Sequence, residues 1–115
     1  MVEEQRDDIL GKLIVSYFDA PSKPDQASKG MVSRWLQHDS VRMRVGTLPA
    51  GYEADHICYK GHSIYVISGG FKMELEDSVL EWKEGDAFII PDGVPHRLFN
   101  PSMVESKLVI FDNHV

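Results

Sequence analysis

Closely spaced turn signals divide this sequence into short segments, and that spacing limits the fold more than any other feature. The signals recur about every 8–12 residues, which is typical of all-β sandwiches and barrels, and include Gly69-Gly70, Lys83 to Asp86 and Pro91-Asp92-Gly93. Between them, apolar and polar residues alternate with a period of two, as in half-buried strands. No window has a convincing helical period. The chain is therefore predicted to be an antiparallel all-β domain.

The predicted strands cover most of a single domain spanning residues 1–115, with residues 1–10 as a loosely ordered lead-in. They are Lys12–Phe18, Met31–Leu36, Val41–Thr47, Ser63–Ser68, a hairpin partner from Phe71, Val79–Trp82, Ala87–Ile90, His96–Asn100 and Lys107–Asp112. A long polar link separates the first strand from the second, and loops of that length are uncommon in compact domains. We therefore expect the first strand to lie at a sheet edge or at a dimer interface.

Charge and cysteine content exclude several classes of protein. The formal net charge of −6 argues against nucleic acid or an anionic membrane as the main partner. One cysteine cannot form an internal disulfide. The acidic start lacks the apolar region of a signal peptide, and the early apolar run Leu13–Phe18 is too short to span a bilayer. A cytoplasmic location is expected.

Residues of metal-ligating type are concentrated between Asp55 and His62. This stretch contains His56, Cys58 and His62, including the only cysteine of the chain. On an extended strand, His56 and Cys58 would point to the same face, and a short turn could return His62 beside them. Imidazole and thiolate bind borderline-soft divalent metals. The stretch is interpreted as half of a metal site.

A second motif supplies the other half. Gly85, Pro91, Gly93, His96 and Asn100 fall on the pattern G-x5-P-x-G-x2-H-x3-N. With this motif at 85–100 and the histidine-rich one at 51–69, the chain resembles the cupin superfamily. In the first motif, Cys58 stands where that family has its second histidine and His62 where it has glutamate. The form D-H-x-C-x-x-G-H resembles a variant found in a small group of cupins.

The resemblance implies a double-stranded β-helix, or jelly-roll barrel, with a divalent metal in its mouth. The implied ligands are His56, His62 and His96, and Cys58 is either a fourth ligand or a packing residue. Zinc, Fe(II), nickel and manganese all remain open. A bound thiolate would close the site and favour structural zinc. An open face of three histidines could instead hold Fe(II) and activate oxygen. Asn100 and the motif glycines are interpreted as structural.

Alternation along the predicted strands suggests which side chains line a pocket for a small organic molecule. The candidates are Tyr65, Ile67, Phe88, Ile90, Leu98 and Trp35. Asp55 could orient a metal ligand. Arg42 and Arg44 are expected to face water, although an inward arginine could anchor a carboxylate substrate. His38 and His114 are expected to be exposed.

The leading functional prediction is a metal-binding enzyme for a small molecule, either a dioxygenase or an isomerase or lyase that polarises a carbonyl. One rival is a non-catalytic binder with a closed three-histidine, one-cysteine site. Another is a metal-free scaffold. A homodimer is expected in each case, from the separated first strand and the habit of the family. Fold alone does not choose among these functions.

Overall fold

Nine antiparallel strands make up the computed structural model, which describes residues 23–24 and 30–113. They are β1 (Lys23–Pro24), β2 (Val32–His38), β3 (Val41–Leu48), β4 (His62–Ser68), β5 (Gly70–Glu74), β6 (Val79–Lys83), β7 (Ala87–Ile90), β8 (Arg97–Phe99) and β9 (Ser106–Asp112). These residues contain no helix, and hence none that is long and apolar enough to cross a membrane. The predicted strand Lys12–Phe18 and the lead-in 1–10 lie outside the described residues.

The strands form two facing sheets. One has the order β1-β2-β3-β9-β4-β7 and the other the order β6-β5-β8. Apolar side chains from both sheets fill the space between them, as in a packed β-sandwich. The buried set is Met31, Leu48, Tyr52, Ile64, Val66, Phe71, Met73, Ile90, Leu108 and Ile110. The predicted all-β jelly-roll fold is confirmed.

Strand β3 presents the opposite face to the core from the one that its sequence suggests. Val41, Met43 and Val45 would be the natural inward set, yet the buried residues are Arg44, Gly46 and Leu48. Arg44 is only 5% exposed, because Asp112 on the neighbouring strand β9 accepts a hydrogen bond from its guanidinium group. The expectation that this arginine faces water is therefore corrected. A buried carboxylate partner reverses the usual preference for valine inside.

In β4, the residues that face the core are those on the same side of the strand as His62. Ile64 and Val66 share the inward face with this histidine, whereas Tyr65 and Ile67 are exposed on the outer face of the six-stranded sheet. Because alternate residues of a strand point to opposite faces, Tyr65 and Ile67 cannot line an internal pocket together with His62. The predicted lining role of these two residues is corrected accordingly.

Candidate metal centre

The backbone places Cys58 and His96 directly opposite each other. The N–H of Cys58 donates to the carbonyl oxygen of His96 at 2.8 Å, and the N–H of His96 donates to the carbonyl oxygen of Cys58 at 3.0 Å. Residues that exchange both hydrogen bonds in an antiparallel pair present their side chains to the same face. This isolated bridge brings together the two sequence motifs, which lie far apart along the chain.

His62 enters the same space as the first residue of β4. Its position depends on the preceding glycine, because a Cβ atom at Gly61 would lie 2.6 Å from the carbonyl oxygen of Ile90 and 2.7 Å from Oδ1 of Asp92. Only glycine allows the backbone to approach β7 so closely. The N–H of Gly61 also donates to Oδ1 of Asp92 at 2.7 Å. The start of β4, and with it His62, is thereby held in place.

The side chains of Cys58, His62 and His96 converge, each offering one ligand atom, and these atoms all lie within 4.8 Å of one another. His62 donates its Nδ1–H to Oδ1 of Asp112 at 2.7 Å, and His96 donates its Nδ1–H to the carbonyl oxygen of Val94 at 2.8 Å. In both rings Nε2 is left as the ligating nitrogen. Such outer hydrogen bonds set the tautomer of metal-binding histidines.

The distance between Cys58 and His62 fits ligation of a tetrahedral ion. With metal–sulfur and metal–nitrogen bonds of about 2.3 and 2.05 Å, tetrahedral geometry separates sulfur from nitrogen by about 3.6 Å. The Sγ atom of Cys58 lies 3.6 Å from Nε2 of His62. A thiolate with two imidazoles is also a donor set that zinc and similar borderline-soft metals prefer. The residues present therefore fit a divalent metal ion.

The two neighbouring histidines stabilise the thiolate form of Cys58. Hydrogen bonds from His62 and then His96 lower the pKa of Cys58 to about 5, against the opposing effect of burial. Burial acts to lower the pKa of His62, but its hydrogen bonds to Asp112 and Cys58 outweigh this and raise the pKa overall. The thiolate is the metal-binding form of cysteine, and the hydrogen bonds from the two histidines favour that form of Cys58.

Asp112 is the functional residue that the sequence interpretation missed. It lies opposite His62 in the register of β4 and β9, and it also accepts hydrogen bonds from Nε of Arg42 at 2.6 Å and from a terminal nitrogen of Arg44 at 2.8 Å. Burial would raise the pKa of this carboxyl group, but the hydrogen bond from His62 and the charge of Arg44 hold it well below its usual range. Asp112 follows Leu108 and Ile110 at alternate positions of the strand, and this spacing is the sequence pattern that indicates an inward side chain.

His56, predicted as a ligand, lies apart from this group of three. Bends at Asp55 and His56 interrupt the extended backbone that the prediction assumed, so His56 does not share a face with Cys58. Its side chain is 58% exposed, and its Nδ1 lies 2.8 Å from Oδ1 of Asp55. His56 nevertheless borders the cavity next to the three converging side chains. Asp55 orients this peripheral histidine, not a member of the converging group.

A cavity of about 80 Å³ opens to solvent beside the three side chains. Apart from the histidines, Cys58 and two arginines, Arg44 and Arg97, its lining is mostly apolar: Met31, Leu48, Tyr52, Ala54, Ile64, Leu98 and Ile110. Of the predicted pocket residues, only Leu98 is in this lining. Ile90 belongs to the buried core, and Phe88 stacks on Trp82 with ring centroids 3.9 Å apart. Trp35 is paired with Arg44 in the sheet register and does not border the cavity.

Comparison with known proteins places this site in a familiar fold. A family model described as the cupin domain matches residues 42–111, and no curated protein matches the chain. The polyketide cyclase RemF from Streptomyces resistomycificus is 20% identical, with 86% of this chain and 77% of that chain covered and a TM-score of 0.72. An RmlC-like cupin from Shewanella frigidimarina is 16% identical, with 91% and 93% covered and a TM-score of 0.72. An Fe(II) form of HppE is 14% identical, with 89% and 60% covered and a TM-score of 0.70.

Proposed function

This chain belongs to the cupin family, and from that premise we propose that it is a metal-dependent enzyme that isomerises or cleaves a small carbonyl compound. The observation that carries the proposal is the convergence of Cys58, His62 and His96 beside the cavity. Three protein ligands leave a coordination position for substrate, as in catalytic zinc sites. A bound divalent ion would act as a Lewis acid that polarises a carbonyl oxygen.

The proposed ligand set combines a variant first cupin motif with His96 of the second. Cys58 takes the position of the second histidine and His62 that of the glutamate. With one thiolate and two imidazoles, a divalent ion keeps a net charge of +1, and the soft sulfur ligand favours zinc over Fe(II) or manganese. Asp112 and the carbonyl oxygen of Val94 hold the two imidazole rings in their ligating orientation. The two residues that fix the imidazole rings thus come from two separate parts of the chain.

His56 is the proposed proton carrier. Asp55 lies 2.8 Å from its Nδ1, which favours a proton on that nitrogen and leaves Nε2 as an acceptor. A histidine held in this way at the rim of the cavity can take a proton from the carbon next to a polarised carbonyl group and return it elsewhere. Proton transfer of this kind is what an isomerase or lyase requires.

Two observations favour alternatives. The Fe(II) form of HppE shows that a protein with this fold can hold iron, which supports a dioxygenase. The position of His56 at the cavity rim would allow it to become a fourth ligand, giving a closed structural site in a non-catalytic binder. Both alternatives use residues of the same cluster, and they differ in metal identity and in whether a ligand position stays open.

Metal analysis and cobalt substitution test the proposal. Protein purified without chelator is expected to contain stoichiometric zinc. After replacement with Co(II), we expect a thiolate-to-cobalt absorption band that is lost in Cys58→Ser, and a visible spectrum that shifts when small anions occupy the open position. Stoichiometric iron would favour the dioxygenase. A cobalt spectrum insensitive to every added anion would favour the closed structural site. Failure to bind any divalent metal would contradict the metal centre itself.

We also propose that the outer face of the six-stranded sheet pairs with a second copy of the chain. Five adjacent strands expose apolar side chains there, among them Val41, Tyr65, Phe111 and Ile89, the last 73% exposed. Five strands span about 20 Å at their usual spacing. That width suits an interface near the standard area of about 800 Å² per partner. Large apolar side chains exposed on several adjacent strands of one face often mark an interaction site.

A charged residue on the outer face of the six-stranded sheet should dissociate the proposed dimer. Ile89→Glu is expected to convert a dimer into a monomer in solution scattering at micromolar concentration, because it would bury a carboxylate without a partner. Met103→Glu is the matched control, since Met103 is also highly exposed but lies between β8 and β9, outside the sheet. A monomeric wild-type protein, or a dimer unaffected by Ile89→Glu, would contradict this interface.

A further inference from the structure

Arg44 is a buried cation at the wall of the cavity. Arg44 is one of the cavity-lining residues together with Cys58, His62 and His96, and it is 5% exposed. A terminal nitrogen donates to Oδ1 of Asp112 at 2.8 Å, a bond between two buried side chains. This contact fixes the position of the guanidinium group. An arginine held so rigidly loses little conformational entropy when it binds a ligand.

The charges around Arg44 favour an anionic ligand. Asp112 carries one negative charge and contacts the guanidinium groups of both Arg42 and Arg44, so this set of contacts alone is net positive. A divalent ion at the neighbouring cluster would add further positive charge, because its two charges exceed the single negative charge of the Cys58 thiolate. In a site partly shielded from water, an anion next to these groups interacts more strongly than it would at the surface. Arg97, also in the lining, is engaged by Glu74 at 3.1 Å and Glu53 at 3.6 Å.

The rest of the cavity wall is apolar and leaves little space. Its apolar lining includes Met31, Leu48, Ile64, Leu98 and Ile110. Its volume of about 80 Å³ is smaller than the roughly 150 Å³ of a cavity known to hold benzene. A ligand that complements this space has an anionic group at one end and a short hydrocarbon chain at the other. Inorganic anions would leave the apolar wall without a partner.

We propose that the cavity binds a short-chain carboxylic acid, with its carboxylate against Arg44 and its alkyl chain against the apolar wall. For the function proposed above, this makes the substrate a small oxo acid or hydroxy acid whose carbonyl or hydroxyl oxygen reaches the metal. The substrate class rests on that proposed function. The binding of the carboxylate by Arg44 does not, because it uses only residues of the chain.

The test uses isobutyrate as the probe and the metal-free full-length protein, so that a metal ion cannot bind the carboxylate. Isobutyrate is expected to give saturable saturation-transfer signals in NMR. Isobutyramide, which has the same shape without the charge, is expected to bind at least about tenfold more weakly, as for the loss of a charged hydrogen bond. Equal affinities of the wild-type protein for isobutyrate and isobutyramide would overturn the proposal, and this comparison needs no variant.

Variants test whether Arg44 is the group that binds the carboxylate of isobutyrate. Arg44→Met is expected to weaken isobutyrate binding by about tenfold or more, and Arg44→Lys, which keeps a charge beside Asp112, by a smaller factor. Lys83→Met is the control, since Lys83 is exposed on β6 of the other sheet and does not line the cavity. Unchanged affinity in a folded Arg44→Met protein would overturn the assignment, as would binding of isobutyrate only when metal is present. Cobalt titration of the same samples reports on the metal centre separately, so either proposal can fail alone.

Discussion

Two buried polar centres in this protein each include a residue of the second cupin motif, His96 in one and Asn100 in the other, and they use their hydrogen-bonding groups in opposite ways. Asn100 is fully buried. Its Nδ2 donates to the carbonyl oxygens of Leu48, Pro49 and Val104 at 3.2, 3.2 and 2.8 Å. Its Oδ1 accepts from the backbone N–H and the hydroxyl group of Ser102 at 3.1 and 2.7 Å. Every polar atom of this side chain is used within the protein.

The other centre is half satisfied in a different sense: of its histidine nitrogens, only the Nδ1 atoms have partners outside the cluster in the described part of the chain, and Nε2 of His62 and Sγ of Cys58 contact each other at 3.6 Å. His62 and His96 each use Nδ1 to donate to an oxygen, while their second nitrogens and the sulfur of Cys58 point toward one another beside a cavity. Buried polar groups that are completely paired hold a structure together. Buried groups arranged to leave converging donor atoms are suited to a ligand from outside. The difference predicts that the two centres respond differently to mutation.

The largest expected effect is on metal affinity in His96→Ala. A four-ligand zinc site provides about 10–16 kcal/mol, or about 2.5–4 kcal/mol per ligand, so loss of one imidazole should weaken zinc binding by roughly 100- to 1,000-fold. The free energy of unfolding of the metal-free protein should change little, because His96 packs beside an existing cavity. Competition titration with a chromogenic chelator measures the affinity. Wild-type zinc affinity in this variant would remove His96 from the site.

Asn100→Ala should show the reverse behaviour. Removal of this side chain leaves three backbone carbonyl groups and Ser102 without their partner, and the expected loss of stability is about 3 kcal/mol. Urea denaturation of the metal-free protein measures it, with Ser78→Ala, at an exposed position between β5 and β6, as the control. Zinc affinity should stay at the wild-type value. A large loss of zinc affinity in folded Asn100→Ala would show that the two centres are not independent.

Asp112→Asn tests the link between the metal site and the fold. Metal affinity should fall about 10- to 100-fold, as for other groups that orient a ligating histidine. The folded pKa of Asp112 lies below its ordinary value of 3.8. The ionised carboxylate therefore stabilises the wild type above about pH 4, and this stability is lost as the pH falls further toward the folded pKa.

Acid titration of metal-free protein, followed by fluorescence, checks the second part of this prediction. Wild-type stability should fall more steeply below about pH 4 than that of Asp112→Asn, which has no carboxyl group to protonate. Asp77→Asn, at an exposed position, is the matched control and should behave as the wild type. Parallel acid transitions in the wild type and Asp112→Asn would contradict the assigned role of this carboxylate.

The fold and much of the candidate site could be predicted because their signals are local. Turn residues such as Gly85 and Gly93, which take positive φ angles, delimit strands in the sequence. Within each motif the residues lie close together in sequence, where backbone geometry limits the outcome. The meeting of Cys58 and His62 with His96 was implied by the resemblance to the cupin superfamily, which supplied the long-range contact.

The remaining features depend on contacts between distant residues. Alternation in β3 gives two faces but does not say which is buried, and the choice is made by Asp112, which lies 68 positions beyond Arg44. The outer face is also apolar, because Tyr65, Ile67 and Ile89 occupy it, so hydrophobicity could not identify the pocket. The bend at Asp55 and His56 has no proline or glycine at the bend itself to mark it. His56 was therefore counted as a ligand on the assumption of a regular strand.

The smallest effect, and the one that most sharpens the contrast between the two centres, is expected for His56→Ala. If the site has three protein ligands and an open position, zinc affinity should stay within about twofold of the wild type. The free energy of unfolding should stay close to the wild-type value. His38→Ala, which removes another exposed histidine far from the cavity, is the control. Should His56→Ala weaken zinc binding as strongly as His96→Ala, His56 would be a fourth ligand in the metal-bound protein. The half-satisfied centre would then be closed by the chain itself, with no position left for a substrate on the ion.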